Sequence, residues 1–220
     1  MNTLDENAAV VIDLYYPERF PALCDVTLCY LNTRFHLHSL MLAYESVYFQ
    51  TIYENGVNQE NRELVLPTLH NPIKETSIKE VHMKQFFECL YARGQFNFDD
   101  IVGNNNKFAE LPLIHLSHYF QVECILSRLK EVNQKWLNVS NKDLFTNGWY
   151  ALCVYQTYQW TDLFNHLKQH IEKHIEVFMR EKGNRYFTML KEETKIDLER
   201  KYICRKSADV LKQLNQKAES

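Results

Sequence analysis

Three histidines stand out for chemistry: His166, His170 and His174 recur at every fourth position. On a helix that interval stacks them along one side, and two imidazoles so spaced can chelate a transition metal. A solvated flank is the plainer reading, because Lys168, Glu172 and Lys173 share the stretch and mixed charge marks a wet helix face. No His-Glu-x-x-His pattern accompanies the row, so a metal bound there would lack a hydrolytic base. His36 and His38 lie two residues apart and would share one side of a strand, yet no further ligand stands at a recognised spacing.

The six cysteines (Cys24, Cys29, Cys89, Cys124, Cys153 and Cys204) include no Cys-x-x-Cys pair, which leaves neither zinc nor thioredoxin-type spacing. A nucleophilic cysteine needs an activating histidine and a group that orients it. No local signature around Cys24, Cys29 or Cys124 supplies that set, so reduced core thiols are expected. Trp149, Tyr150, Tyr155, Tyr158 and Trp160 form an aromatic cluster that reads as core, with any exposed part a recruiting surface. There is no glycine-rich phosphate loop among the five glycines, and no cofactor is expected.

The elements that must position these groups follow from periodicity. Ala8 to Tyr16 reads as a short helix or strand closed by Pro17 and Pro21. Asp25 to Tyr30 alternates as a strand, and Arg34 to Leu37 returns as its hairpin partner. His38 to Ala43 and Ser46 to Tyr53 read as two short helices, the second capped by the Ser46 hydroxyl and stopped by a left-handed Asn55-Gly56. Glu63 to Pro67 is a third strand, Val81 to Arg93 a helix ended by Gly94, and Asp99 to Lys107 a polar loop. Helices resume around Pro112 from Phe108 to Val132, then over Asn141–Tyr158, Asp162–Arg180, Tyr186–Lys191 and Lys195–Leu214. Strands with paired helices followed by helices alone make an α+β chain, with a boundary near Trp136 to Asn141.

Composition narrows the partners. In 220 residues, 45% are hydrophobic and the formal net charge is -3, enough for a sizeable core and without the basic excess of a nucleic-acid binder. The N-terminal MNTLDENAAVVIDLYY has no cationic region ahead of an apolar run, so no secretory signal is read. No apolar stretch approaches the roughly 20 residues of a membrane span. Neither nucleic acid nor membrane is expected as a partner.

The stretch CDVTLCYLNTRFHLHSLMLAYESVYF, Cys24 to Phe49, resembles the BTB/POZ signature. Asp25, Val26, Phe35, His38, Leu42, Ala43, Ser46, Tyr48 and Phe49 match in register without a gap. Downstream, Leu64-Val65-Leu66 with Pro67, Phe86 to Tyr91, Phe96, Phe98 and Leu116 to Val122 are similar to later elements of that family. Ala151 to Leu198 resembles, more loosely, the BACK-type helical extension: Leu163, Leu167, Ile171, Ile175 and Phe178 make one ridge, followed by Tyr186, Phe187 and Leu190. The resemblance implies a small mixed sheet flanked by helices over 21–136, an all-helical extension over 137–220, and an N-terminal segment 1–20 able to exchange in a dimer.

It also implies a function, which is binding and not catalysis. Members form homodimers, and many dock cullin-3 as adaptors that bring a client protein for ubiquitination. The docking face would comprise Phe49, Ile52, Tyr53 and Tyr119, followed by a hydrophobic-x-Glu loop that here reads Val57-Asn58-Gln59. Gln59 keeps the length and acceptor oxygen of Glu but loses its charge, and a charge-assisted bond is about twice as strong as a neutral one; Glu60 stands one residue late. Phe49 and Ile52 also read as plain core. Asp25, His38, Ser46 and Tyr48 are implied structural residues, His38 bonding backbone at a strand-to-helix junction. A dimerising scaffold that binds no cullin is the alternative, and a metal- or cysteine-dependent enzyme using His166, His170 and His174 is a second. A reducing compartment is expected, cytoplasmic or nuclear. An Asn-, Lys-, Tyr- and Phe-rich composition points to an AT-rich source, and thus to the host cell should that source be viral or bacterial.

Overall fold

Alternation of apolar and polar side chains builds the sheet. In β2 (Val26–Tyr30) Val26, Leu28 and Tyr30 are buried while Thr27 and Cys29 face the other way; β3 (Thr33–Leu37) buries Thr33, Phe35 and Leu37 against them. The two pair antiparallel from Val26↔Leu37 to Tyr30↔Thr33. That register leaves Leu31 and Asn32 as the loop, and Leu31 takes a φ of 52°, since so tight a hairpin needs left-handed backbone. β1 (Ile12–Tyr15) runs parallel to β3, and β4 (Glu63–Val65) parallel to β2, giving the order β1-β3-β2-β4. Of the segment left open between helix and strand, Ile12–Tyr15 is a strand. This computed structural model describes residues 12–15, 21–55, 63–73, 76–92, 111–139, 141–180 and 184–218.

Helices cover one side of this sheet's unit. α1 (Ser39–Glu45) and α2 (Val47–Glu54) pack as consecutive short helices; α3 (Glu80–Tyr91) packs on α4 (Leu111–Tyr119). Pro112 sits in the first turn of α4, where its missing N–H has no partner to lose. α4 ends in a Schellman turn, with Gln121 at φ 53° and Val122 N–H on the Ser117 carbonyl at 2.9 Å. Asn55 departs from expectation. Its backbone is not left-handed (φ -80°, ψ 5°), and its side-chain amide closes α2 on the Thr51 carbonyl at 2.8 Å. Phe96, Phe98 and the polar loop before Phe108 lie outside the described residues.

The chain divides into two compact units, Met1–Leu129 and Lys130–Ser220, and the division falls inside the continuous helix α5 (Glu123–Val139). The second unit is helical: α6 (Asn141–Thr157), α7 (Thr161–Lys173), α8 (Ile175–Met179), α9 (Arg185–Thr188) and α10 (Glu192–Ala218). α7 and α9 pack on α6, while α10 packs on α7 and α8. The expected single helix over Asp162–Arg180 breaks at His174 (φ -117°, ψ 27°). The freed carbonyls of Glu172 and Lys173 accept from Arg205 Nη1 at 3.3 and 2.8 Å, a cation placed where a helix C-terminus favours one. No helix among the described residues is long and apolar enough to cross a membrane.

Candidate functional site

The hairpin and the α1–α2 pair are held by signature residues, each through a bond that its neighbours in sequence do not reveal. Asp25 accepts from the Ser39 N–H at 2.7 Å and from the Ser39 hydroxyl at 2.6 Å, so a carboxylate just before β2 caps α1. Partial burial opposes its ionisation, but the two Ser39 bonds outweigh that and hold the carboxyl below its ordinary range. Ser46 caps α2 by accepting from Phe49 N–H at 3.2 Å and donates its hydroxyl to the Phe120 carbonyl. One buried hydroxyl thus fastens α2 to the end of α4. His38 was expected to bond backbone through its ring. Instead its Nδ1 meets the Tyr91 hydroxyl at 3.0 Å, and its backbone N–H donates to that same oxygen at 2.9 Å.

Tyr48 belongs to a chain of aromatic rings. Its centroid lies 5.4 Å from Tyr119 and 5.3 Å from Phe120, which stacks on Phe49 at 5.0 Å and touches Phe86 at 5.1 Å. Burial and a bond to Tyr119 push the Tyr48 hydroxyl up to about 12. Ile52, one turn after Tyr48, is half-buried, as is Tyr119, so these three lie together and partly reach solvent.

The remaining face residues divide differently. Phe49 is fully buried, as its reading as core has it, and stacks on Phe120. Tyr53 is one turn further along the Phe49 side. Its hydroxyl is shut off from solvent with no hydrogen-bond partner; burial, with the Asp25 carboxylate nearby, pushes it up to about 12. Val57 and Gln59 lie outside the described residues.

A feature missed in the sequence is the apolar row on α1. Leu40 and Tyr44, one turn apart, are 81% and 76% exposed, and Val47 at the head of α2 is 54% exposed. Single exposed apolar residues are ordinary, but a row on one helix face is what an interaction surface presents. The signal was available as Leu40 and Tyr44 at i and i+4 alongside buried Leu42. A second missed feature is the polar face of the sheet: His36 bridges Asp13 on β1 at 2.9 Å and Thr27 on β2 at 3.0 Å. His36 and His38 thus serve different partners.

The chemical alternatives find little geometry. Burial raises the Cys29, Cys89 and Cys124 thiols to about 11, 12 and 11, with Glu63, Glu88 and Glu45 adding to it, and burial raises Cys153 as well. A thiol held protonated is a poor nucleophile. Of the histidine row, His170 and His174 lie 4.8 Å apart between ring centroids, while His174 sits at the helix break. Among the described residues no three His, Cys, Asp or Glu side chains gather closely enough to hold a metal ion. The aromatic cluster is core: Trp149, Tyr150, Tyr155 and Trp160 are buried, leaving only Tyr158 half-buried.

The family model for the BTB/POZ domain matches residues 16–135. The chain belongs to the BTB/POZ family. A search among curated proteins gives no match. The match runs from just beyond β1 into α5, and so takes in the signature bonds, the aromatic chain and the exposed row on α1. BTB/POZ domains are protein-interaction modules that commonly dimerise, which accords with the exposed apolar side chains of α1.

Proposed function

We propose that this BTB/POZ chain is a homodimeric adaptor that docks cullin-3 and presents a client protein for ubiquitination through its BACK-like helical unit. The observation that supports self-association is the pair Leu40 and Tyr44 on one face of α1, with Val47 at the head of α2, apolar side chains each more than half exposed, as a two-fold interface would use. For cullin docking the support is narrower: Ile52 and Tyr119, gathered around Tyr48, keep partly exposed apolar surface, and amphipathic aromatics suit half-wet hot spots.

A dimerising scaffold without cullin is the second reading, favoured by Gln59 in place of Glu. A pull-down with cullin-3 separates the two. Under the adaptor reading wild type retains cullin-3, while Ile52→Ala and Tyr119→Ala each weaken retention about tenfold, as hot-spot truncations do, and Gln59→Glu strengthens it. If wild type retains none and Gln59→Glu restores none, the cullin reading is abandoned and the scaffold stands.

A further inference from the structure

We propose that His170 and His174 form an acid-sensitive latch in the helical unit: proton uptake at His170 loosens the α7–α8 junction and the seat of Phe178. The inference is independent of cullin docking and of dimerisation.

The geometry is specific. His170 Nε2 is shut off from solvent and has no hydrogen-bond partner. Its ring lies 6.0 Å from Phe145 of α6, 6.5 Å from Phe178 of α8 and 4.8 Å from His174, which is itself edge-on to Phe145 at 5.4 Å. An unpaired acceptor nitrogen among rings is tolerable, whereas an unpaired N–H carrying charge is costly. Burial comes first in lowering the pKa of His170, and the neighbouring His174, Lys173 and His166 act in the same direction. Among the described residues, the carboxylates of Glu172 and Glu176 on α7 and α8 are engaged, Glu172 by Lys168 and Lys201 and Glu176 by Lys206. From α10, Arg205 adds a further cation on the Glu172 and Lys173 carbonyls.

Phe178 makes this local strain matter. Its ring packs on Phe145 and Trp149, its carbonyl accepts from Trp149 Nε1 at 3.2 Å, and its ring edge occupies the space that a Cβ at Gly148 would need. The helix is already broken at His174, so the junction can yield without disrupting an unbroken hydrogen-bond ladder. The sign is fixed by linkage. A histidine held neutral in the folded chain binds fewer protons than in the unfolded chain. Its stabilisation is therefore complete above the ordinary value of 6.5 and is lost as pH falls through the lower folded value.

Site-resolved hydrogen exchange on the full chain tests this, with rates corrected for the intrinsic effect of pH. Between pH 7.5 and 5.5, residues 163–179 should lose protection by roughly threefold or more, and His170→Gln should abolish most of that response. His115 in the BTB/POZ unit is also held neutral by burial, so a chain-wide acid effect would register at 111–120 as well. An equal response in His170→Gln overturns the latch. A proton NMR titration of wild type gives a second reading should the variant fold poorly: His170 must titrate below an ordinary histidine, and titration at or above that value overturns it.

Discussion

In the BTB/POZ unit, Asp25 caps a helix that starts fourteen residues later, and the single Ser46 hydroxyl serves both the head of α2 and the end of α4. The helical unit is fastened in another way. Its inner contacts are rings and aliphatic ridges joined by two buried bonds, Trp149 Nε1 to the Phe178 carbonyl at 3.2 Å and the Tyr155 hydroxyl to Asn133 Oδ1 at 2.9 Å, and its ionic ties include Lys168 with Asp197, Lys201 with Glu172 and Lys206 with Glu176. The difference lies in what a substitution leaves behind. A buried polar tie, once cut, strands its partner out of water; a surface ion pair, once cut, returns both groups to solvent. The buried ties of Asp25 and Ser46 therefore fix their residues, whereas the ion pairs of the helical unit tolerate substitution.

The contrast is widest at Ser46. Ser46→Ala removes the α2 cap and leaves the Phe120 carbonyl without its buried donor, so denaturant unfolding should show a loss of about 2–4 kcal/mol. Ser46→Thr, which keeps the hydroxyl, should recover part of it. Gly148→Ala tests the helical unit where α6 meets the Phe178 ring. A Cβ there would come within 2.5 Å of the Phe178 ring, and overpacking of about 1–3 kcal/mol outweighs the up to about 1 kcal/mol that alanine returns in helix propensity. Thermal unfolding of that variant should fall, and replacing Phe178 with leucine in the same chain should relieve it.

Asp25→Asn keeps an acceptor but not the charge, and a loss of about 1 kcal/mol is expected at neutral pH. Because folding lowers this carboxyl's pKa, its contribution is in place above the ordinary value of 3.8 and disappears as pH falls through the folded value. The gap between wild type and variant should hold steady down to about pH 4 and close below it. The smallest effect belongs to the surface: Lys168→Met breaks the pairs to Asp197 and Glu172 and should cost less than about 1 kcal/mol, less still in high salt. A loss there as large as that of Ser46→Ala would erase the distinction between the units.

Legibility follows the same division. The hairpin, the Ser46 cap and the ridge of Leu163, Leu167 and Ile171 were readable because each is local: alternation, a hydroxyl before a helix, a repeat of three and four. What escaped depends on distance in sequence. Nothing around Asp25 says that its carboxylate reaches Ser39, and nothing around His38 says that Tyr91 waits for it. Burial of the Tyr53 hydroxyl was hidden, and Phe49 was left between core and interface, because periodicity marks an apolar face without saying which of its residues are covered. The break at His174 has no Gly or Pro to announce it, and is matched instead to Arg205, thirty-one residues on, which takes the freed carbonyls.

Self-association through α1 is the claim from which the functional reading starts, and the mass of the chain in solution measures it most directly. Light scattering at micromolar concentration should give twice the 26.3 kDa chain mass, falling to one chain when Leu40 and Tyr44 are both replaced by Asp. A wild-type mass near 26.3 kDa, or a double variant that stays dimeric, would contradict the account.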